Sequence, residues 1–136
     1  DVALRDTVRD LSARDAMITA FEALSPEDRI QTAGTALLRT TQAEFPVLDA
    51  EGRLLGVLTR NAIFRAISEE RRSARVADEM ETGIPATLLT APLAEALDAL
   101  HEGNRPAVAV TDRGGVLLGY ITRENIGELM VVSGRG

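Results

Sequence analysis

The residues that carry common hydrolytic or metal chemistry are few in this chain. It has no cysteine and one histidine, His101, which excludes disulfides, zinc–thiolate centres and metal sites built on a pair of histidines. A serine nucleophile would need His101 as its base, and no serine stands in a recognisable nucleophile motif. Glu79 and Glu81 are close in sequence, but acids placed before a strand usually face solvent. The residue types therefore predict a non-catalytic chain without a metal site.

Charge and hydrophobicity narrow the range of partners. The net charge of -6 argues against a general nucleic-acid binder, because neutralising phosphates requires a basic face. No apolar run approaches the roughly 20 residues of a membrane helix, so we expect no direct membrane insertion. The absence of cysteine suits a reducing compartment, and we expect a cytoplasmic location. The first residue is Asp1 rather than Met, which leads us to expect a fragment of a longer protein.

The chain repeats itself at a shift of 63 residues without a gap. Between residues 13 and 63, 16 of 51 positions are identical at that shift, whereas random matching in this composition gives roughly five. The densest matches are Leu54, Leu55, Gly56, Thr59, Arg60 and Ile63, which recur as Leu117, Leu118, Gly119, Thr122, Arg123 and Ile126. We predict a leading segment over residues 1–12, a first copy over 13–70, a linker over 71–75, a second copy over 76–132 and a tail over 133–136.

Each copy is predicted to run strand, helix, strand, strand, helix, which is an α/β (α+β) class of fold. In the first copy we expect a strand over 18–24 and a helix that begins with the capping residue Ser25 and with Pro26. The stripe of apolar residues that this helix buries is predicted to be Ile30, Ala33, Leu37 and Leu38. Strands over 45–49 and 53–59 form a hairpin whose turn ends at Gly52.

The last helix of the first copy is predicted to be capped by Thr59, with Ile63, Phe64 and Ile67 on one face. The charged stretch 69–75 follows it and is expected to be a solvated helix end. In the second copy, Thr90-Ala91-Pro92 is predicted to open a helix that closes at Gly103-Asn104. Its hairpin is expected over 107–111 and 116–122, before a final helix that Ile126, Leu129 and Met130 continue toward Val131 and Val132. A short leading helix over 3–11 is also expected.

Both hairpins resemble the signature of the CBS domain family. The first copy has Phe45-Pro46-Val47-Leu48-Asp49 followed by Leu55-Gly56-Val57-Leu58-Thr59-Arg60, and the second has Arg105 to Asp112 followed by Leu118 to Arg123. The segments 13–17 and 76–80 are similar to the usual entrance of the domain. One such pattern is weak, but two in tandem at one spacing are specific. The resemblance implies two β-α-β-β-α repeats packed about a pseudo-two-fold axis, with clefts that take adenosine-containing ligands.

The resemblance also implies where a ligand would bind. Members of the family hold the ribose with an acid three residues after the motif threonine, a position occupied here by Ala62 in the first copy and by Asn125 in the second. Alanine accepts no hydrogen bond, whereas asparagine accepts through its amide oxygen. The second cleft is therefore the better candidate, and its expected ligand-binding residues are Ile84, Pro85, Ala107, Val108, Thr122, Arg123 and Asn125. The weaker first cleft would use Phe45, Thr59 and Arg60.

Purely structural roles explain many of the same residues. Thr59 and Thr122 are fully accounted for as helix N-caps, and Asn125 at the third helical position can complete the same cap. Arg60 and Arg123 are more often solvated in such positions. Gly56 and Gly119 are expected to allow close backbone approach within a strand, and Met17 and Met80 to be core contacts. Both readings of the threonines and of Asn125 stay open from the sequence.

Two functions follow from this resemblance. The first is a regulatory module that binds AMP, ADP, ATP or S-adenosylmethionine and controls an attached effector domain. The second is a ligand-free interaction module, a homodimer formed through the helices of the copies. Residues 38–42 and 125–130 further resemble the carboxy-terminal CBS pair of bacterial site-2-type membrane zinc metalloproteases. On that resemblance the chain would be the cytosolic part of a membrane protein, with the protease preceding Asp1.

Overall fold

The structure is a computed structural model that describes residues 8–133. Residues 3–7 of the expected leading helix and residues 134–136 of the expected tail lie outside the described residues. The fold is α+β, as the sequence predicts. The elements are α1 (Ala13–Ala16), α2 (Ile30–Arg39), β1 (Glu44–Leu48), β2 (Leu54–Thr59), α3 (Arg60–Ser68), α4 (Val76–Glu79), β3 (Ala86–Leu88), α5 (Leu93–Gly103), β4 (Val108–Thr111), β5 (Leu117–Ile121) and α6 (Arg123–Ser133).

The first-copy unit consists of residues 20–84. Its strands β1 and β2 pair antiparallel, and Leu24 adds a single parallel bridge to Val47. The turn between the strands is closed by the side chain of Asp49, which accepts the backbone N–H groups of Glu51 and Arg53 at 2.9 Å. Gly52 follows at a φ of 84°, so the predicted need for a glycine in this turn is confirmed. The core of this unit comprises Leu24, Ile30, Ala33, Ala36, Leu37, Phe45, Val47, Leu58, Ile63, Ala66 and Val76.

The second-copy unit combines the described residues up to Thr19 with those from Pro85 onward. Its sheet has the order β3-β4-β5, with β3 parallel to β4 and β4 antiparallel to β5. Its second helix ends as predicted, with Asn104 in the left-handed conformation at a φ of 50°. The core of this unit comprises Val8, Ala13, Ala16, Leu93, Ala96, Leu97, Leu100, Val108, Val110, Ile121 and Ile126.

The short segment that leads into each copy packs in the unit of the other copy. Residues 11–18 precede the body of the first copy in sequence, yet Ile18 and Tyr120 exchange backbone hydrogen bonds of 2.8 and 3.1 Å in the second-copy unit. Residues 74–81 lie in the first-copy unit, where Glu81 and Val57 exchange two bonds of 2.9 Å. The two bonded pairs are related by the 63-residue shift. The exchange of these entrance segments is therefore reciprocal and follows the sequence repeat.

The repeated strand glycines make this exchange possible. A Cβ atom at Gly119 would stand 2.6 Å from the carbonyl oxygen of Ile18 and 3.0 Å from the Sδ atom of Met17. At Gly56 the corresponding distances, to Glu81 and Met80, are 2.6 and 2.7 Å. Real Cβ atoms do not approach backbone oxygen so closely, so only glycine fits at these positions. The predictions of close backbone approach at the glycines and of core contacts for the two methionines are confirmed.

Three predictions about the first copy are wrong. Residues 18–24 form no strand. Only Ile18 and Leu24 of this segment make β-bridges, and each is isolated: Ile18 pairs with Tyr120 in the second-copy unit and Leu24 with Val47 in the first-copy unit. The next helix begins at Ile30 rather than at Ser25, whose backbone N–H instead donates to Asp28 in a turn. The true start lies 63 residues before Leu93, the first residue of α5, so the repeat register predicts it better than the local cap signal.

The third error concerns the faces of the helices. Leu38 was expected in the buried stripe of α2, but its side chain is 89% exposed because it points away from the core that Leu37 enters. Phe64 of α3 is 52% exposed as well, although Ile63 beside it is fully buried. Two large apolar side chains thus stand on the helical surface of the first-copy unit.

The charged linker has a structural role that the sequence did not indicate. The carbonyl oxygens of Ala74 and Arg72 accept the N–H groups of Ile30 and Gln31, each at 3.0 Å. These are the first N–H groups of α2, which have no partner within the helix and receive no side-chain cap from Arg29. The linker therefore caps α2, rather than being only a solvated helix end.

Candidate functional site

The start of α6 carries the polar pair that the sequence places in the second cleft. The Thr122 hydroxyl accepts the backbone N–H of Asn125 at 3.1 Å, and the Oδ1 atom of Asn125 accepts the backbone N–H and the hydroxyl of Thr122 at 2.5 and 3.1 Å. This reciprocal arrangement is a capping box. Thr122 is only 4% exposed. The hydroxyl and the amide oxygen expected to bind a ligand are thus both used in the cap.

The other end of the Asn125 side chain reaches a second element. Its Nδ2 atom donates a hydrogen bond to the carbonyl oxygen of Ala16, the last residue of α1. This carbonyl lies at a helix end, where backbone oxygens lack partners within the helix. Asn125 therefore joins the entrance segment to α6. The sequence did not reveal this partner, because the two residues lie 109 positions apart and no local pattern links them.

Arg123 is oriented toward backbone carbonyls. Its guanidinium donates to the carbonyl oxygens of Leu100 and Arg105 at 2.5 and 3.1 Å. A cation beside the last turn of α5 also suits the negative end of the helix dipole. Arg123 is exposed, as expected for a solvated arginine. Its two hydrogen bonds nevertheless make it a cap for the end of α5.

The first copy repeats the cap without the asparagine. Thr59 accepts the N–H of Ala62 at 3.1 Å, and Arg60 donates to the carbonyl of Gln42 at 3.1 Å. The guanidinium of Arg60 also lies 5.9 Å from the centroid of the Phe64 ring, a cation–π distance. The side chain of Ala62 offers nothing polar where the second copy has the amide of Asn125. Phe45, expected in the first cleft, is fully buried in the core.

The four apolar residues expected in the second cleft are divided between the two units. Ala107 and Val108 are each 1% exposed at the start of β4. The next backbone N–H, that of Ala109, donates to the carbonyl oxygen of Pro85 at 2.8 Å. Ile84 and Pro85 are partly exposed, and the boundary between the two units falls between them. The second-copy unit thus brings Pro85 close to β4, whereas Ile84 belongs to the first-copy unit.

Glu79 is a partner of an arginine and not half of a carboxylate pair. Its two carboxylate oxygens accept from the Nε and a terminal nitrogen of Arg71, both at 3.0 Å. The hydrogen bond from this guanidinium lowers the pKa of Glu79, although partial burial opposes the shift. Arg71 also pairs with Glu69. The ion pair fastens the linker to α4 within the first-copy unit.

Each unit has an open groove between its two long helices. In the first-copy unit the groove is about 380 Å³ and is lined by Gln31, Gly34, Thr35, Leu37, Leu38, Arg60, Phe64, Ile67 and Arg72. In the second-copy unit it is about 340 Å³ and is lined by Leu97, Leu100, His101, Arg123, Ile126, Gly127 and Met130. Six pairs of these residues are related by the 63-residue shift. Both grooves are mainly apolar, and the sequence did not predict either of them.

Among residues 8–133, no three acidic or histidine side chains are grouped so as to hold a metal ion. In the same range no helix is both long enough and apolar enough to cross a membrane.

A tandem pair of α+β units, each with a threonine-capped helix after its hairpin, defines the class of this protein. The sequence model of the CBS domain matches residues 8–69 and again residues 76–131. The matches cover most of the chain, which therefore belongs to the CBS domain family. CBS domains are generally regulatory and non-catalytic.

Solved structures of CBS proteins share this fold at low sequence identity. CBSX2 in complex with AMP has a TM-score of 0.74 at 22% identity, covering 89% of this chain and 96% of that one. The CBS pair of MJ0100, in complex with 5'-methylthioadenosine and S-adenosyl-L-methionine, has a TM-score of 0.78 at 19% identity, with coverages of 89% and 96%. A hemolysin-like CBS protein of Oenococcus oeni PSU has a TM-score of 0.83 at 19% identity, with coverages of 99% and 98%.

A curated relative shows only partial similarity. Homoserine O-acetyltransferase of Methanococcus vannielii is 22% identical over 112 residues, or 81% of this chain. The chain spans only 23% of the length of that relative. The similarity therefore concerns one part of a much longer enzyme.

Proposed function

We propose that this chain is a regulatory CBS pair that binds an adenosyl compound beside Thr122 and Asn125 and controls an attached effector domain. The observation that carries the proposal is this polar pair at the start of α6, in a fold whose solved relatives hold AMP or S-adenosyl-L-methionine. The candidate ligands are AMP, ADP, ATP and S-adenosylmethionine. Neutral Asn125 would accept a ribose hydroxyl through its amide oxygen, and Arg123 would pair with a phosphate where the ligand has one.

Binding of this kind would be coupled to the entrance segment. Asn125 uses its oxygen for Thr122 and its Nδ2 atom for Ala16, so a ligand that takes over the amide competes with both bonds. A ligand regulates only through a difference in affinity for two conformations. Here the two conformations would be the entrance segment fastened to Asn125 and the same segment released from it. Residues 11–18 would then transmit occupancy to the effector.

The proposed effector is a membrane zinc metalloprotease of the site-2 type, and its CBS pair would lie on the cytoplasmic side. Support comes from the resemblance of residues 38–42 and 125–130 to such proteins. The full-length gene tests the proposal directly, because a His-Glu-x-x-His motif within hydrophobic helices upstream of this segment is easily recognised. A full-length protein without that motif would contradict the assignment of the effector.

Titration calorimetry with AMP, ADP, ATP and S-adenosylmethionine tests the ligand. We expect at least one of them to bind with a dissociation constant below millimolar. The variant Thr122→Val should weaken binding, whereas the matched variant Thr59→Val in the first copy should not. Absence of binding by all four at millimolar concentration would contradict the proposal, as would equal losses in the two variants.

A second candidate function is favoured by the helical surface of the first-copy unit. Leu38 and Phe64 are 89% and 52% exposed beside an apolar groove, and exposed apolar patches often mark interaction sites. On this reading the pair is a ligand-free interaction module that forms homodimers through its helices. Sedimentation at several concentrations tests it, because a strict monomer would contradict it.

A further inference from the structure

We propose that the groove between α2 and α3 binds an amphiphilic carboxylate, a small molecule with one carboxylate head and an apolar tail. The groove lies on the helices of the first-copy unit and includes neither Thr122 nor Asn125, so this site is separate from the proposed adenosyl site. Its size and lining, a glycine in its wall, an unpartnered arginine and the contrast with the groove of the second-copy unit all support a ligand of this kind.

The groove has the size and lining of a small-ligand site. Its volume of about 380 Å³ falls within the roughly 300–1,000 Å³ of most small-molecule pockets. Gln31, Gly34 and Leu38 lie along one face of α2, and the helix rises about 10 Å from the first to the last of them. Leu38 is 89% exposed on this wall, and Phe64 is 52% exposed on the other. An apolar tail lying between them would remove both side chains from water, which is the main source of affinity for such a ligand.

Gly34 keeps the wall of the groove open. A glycine inside a helix is less stable than an alanine, so its presence in the middle of α2 calls for an explanation. The backbone does not require it, because Gly34 has no positive φ. Packing does not require it either, since a Cβ atom there would meet one atom within 4 Å, the flexible Cδ1 of Ile67, at 3.4 Å. The glycine provides space in the groove that a longer side chain would fill.

Arg72 is the cation available to a carboxylate head. It is exposed at the end of the groove nearest Gln31, whose backbone N–H donates to the carbonyl oxygen of Arg72 at 3.0 Å. That bond fixes the backbone, whereas the guanidinium of Arg72 has no hydrogen-bond or ion-pair partner among residues 8–133. Arg71 and Arg75 on either side are paired with glutamates, and Arg60 at the other end already donates to a backbone carbonyl. A free guanidinium matches a carboxylate in a bidentate pair.

The helices that form the groove of the second-copy unit are acidic. The arginine of this groove, Arg123, already donates to two backbone carbonyls. No acid lies in α2 or α3, whereas α5 and α6 carry five, which are Glu95, Asp98, Glu102, Glu124 and Glu128. These acids would repel a carboxylate. The first groove is therefore selective for an anion, and the second serves as an internal control.

Titration of the complete chain with decanoate tests the proposal, with decylammonium as the cationic probe of equal chain length. We expect decanoate to bind with a dissociation constant below millimolar and to shift the backbone amide signals of residues 34–38 and 64–67 in nuclear magnetic resonance spectra. Decylammonium should bind there at least about tenfold more weakly. Arg72→Ala should weaken decanoate binding at least about tenfold, whereas the control Arg113→Ala, in an exposed hairpin turn, should leave it unchanged.

A second pair of variants tests the groove independently of charge. Gly34→Leu should block the binding of decanoate, while the matched variant Gly127→Leu in the second groove should not, and thermal unfolding shows whether both chains fold. Failure of decanoate to bind the wild type would overturn the proposal, as would equal affinities for the two probes. A wild type that dimerises and excludes decanoate would also overturn it, because a second copy would then occupy the groove. The adenosyl site is tested with AMP by calorimetry, so failure there leaves this proposal intact.

Discussion

Asn125 donates its side-chain amide to the backbone carbonyl of Ala16 and so fastens the start of α6 to the end of α1. The same side chain completes the cap on Thr122. One residue therefore joins the cap of a helix, the entrance segment and the position at which the resemblance to CBS domains implies a ribose-binding side chain. The first copy has Ala62 there, and an alanine side chain can make none of these hydrogen bonds, although Thr59 still caps the helix through the backbone N–H of Ala62.

The variant Asn125→Asp should separate these roles. Aspartate keeps the oxygen that accepts from Thr122, loses the donor to Ala16 and adds the charge of the ribose-binding acid that the resemblance to CBS domains implies at this position. We expect tighter binding of AMP, by about tenfold, together with faster hydrogen exchange of the amides that follow Ala16. Calorimetry and exchange mass spectrometry measure the two effects.

The control is Asn125→Ala, which should show the faster exchange without the gain in affinity. If hydrogen exchange were unchanged in both variants, the bond from Asn125 to Ala16 would not be stabilising the entrance segment, which would contradict the account.

The strand glycines should be intolerant of even one added methyl group. A Cβ at position 119 would lie 2.6 Å from the carbonyl oxygen of Ile18, which is a backbone atom and moves only with the entrance segment. We expect Gly119→Ala to lower the free energy of unfolding by about 1–3 kcal/mol. The matched variant Gly127→Ala has open space around its Cβ and lies within a helix, so it should stabilise the chain by about 0.5–1 kcal/mol. Equal effects in urea unfolding would contradict the close approach.

The contribution of the threonine caps to the free energy of unfolding should be measurable without a ligand. Thr59 accepts the N–H of Ala62, so Thr59→Val should cost about 1 kcal/mol of unfolding free energy through loss of the cap. Thr59→Ser keeps the hydroxyl and should cost much less. The comparison uses chemical denaturation at neutral pH. If valine and serine were equivalent, the hydroxyl would not be acting as a cap.

Stability should depend on pH through Glu79. The bond from Arg71 lowers the pKa of Glu79 below its ordinary value of 4.5, so the folded state favours the ionised form. Its contribution is fully present above the unfolded pKa and is lost as the pH falls through the folded pKa. We expect Glu79→Gln to be less stable than the wild type by about 1 kcal/mol at pH 7, with the difference closing below about pH 4.5.

Thermal unfolding across this pH range measures the difference. The matched control is Glu51→Gln, an exposed acid in a hairpin turn, which should follow the wild type at every pH. A constant difference between Glu79→Gln and the wild type down to pH 3 would contradict the ion pair.

The sequence predicted the local features of the fold well. Helix caps such as Thr59, hairpin turns such as the one closed by Gly52 and the left-handed end at Asn104 depend on a few adjacent residues, and all three are present. Prediction from the sequence failed where hydrogen bonds to a segment distant in sequence determine where a helix begins. The start of α2 is set by the carbonyl of Ala74, so the nearby Ser25 was a misleading signal.

The candidate site was predictable in part for the same reason. The repeat identified Thr122, the resemblance to CBS domains identified Asn125, and periodicity identified α6. The bond to Ala16 depends on the exchange of entrance segments, which no local pattern encodes. Periodicity also places Leu38 in the core, although it is exposed beside the groove. Leu37 and Leu38 are adjacent apolar residues, and periodicity alone does not show which of the two faces the core.

The most direct test of the proposed function is a residue-resolved titration by nuclear magnetic resonance. Backbone amide signals of the complete chain are followed while AMP or S-adenosylmethionine is added, with guanosine monophosphate as the control. We predict saturable shifts at residues 107–109, 122–125 and 16–18, with much smaller shifts at residues 59–62 of the first copy. Saturable shifts confined to the first copy, or the absence of any shift at millimolar ligand, would contradict an adenosyl site at Thr122 and Asn125.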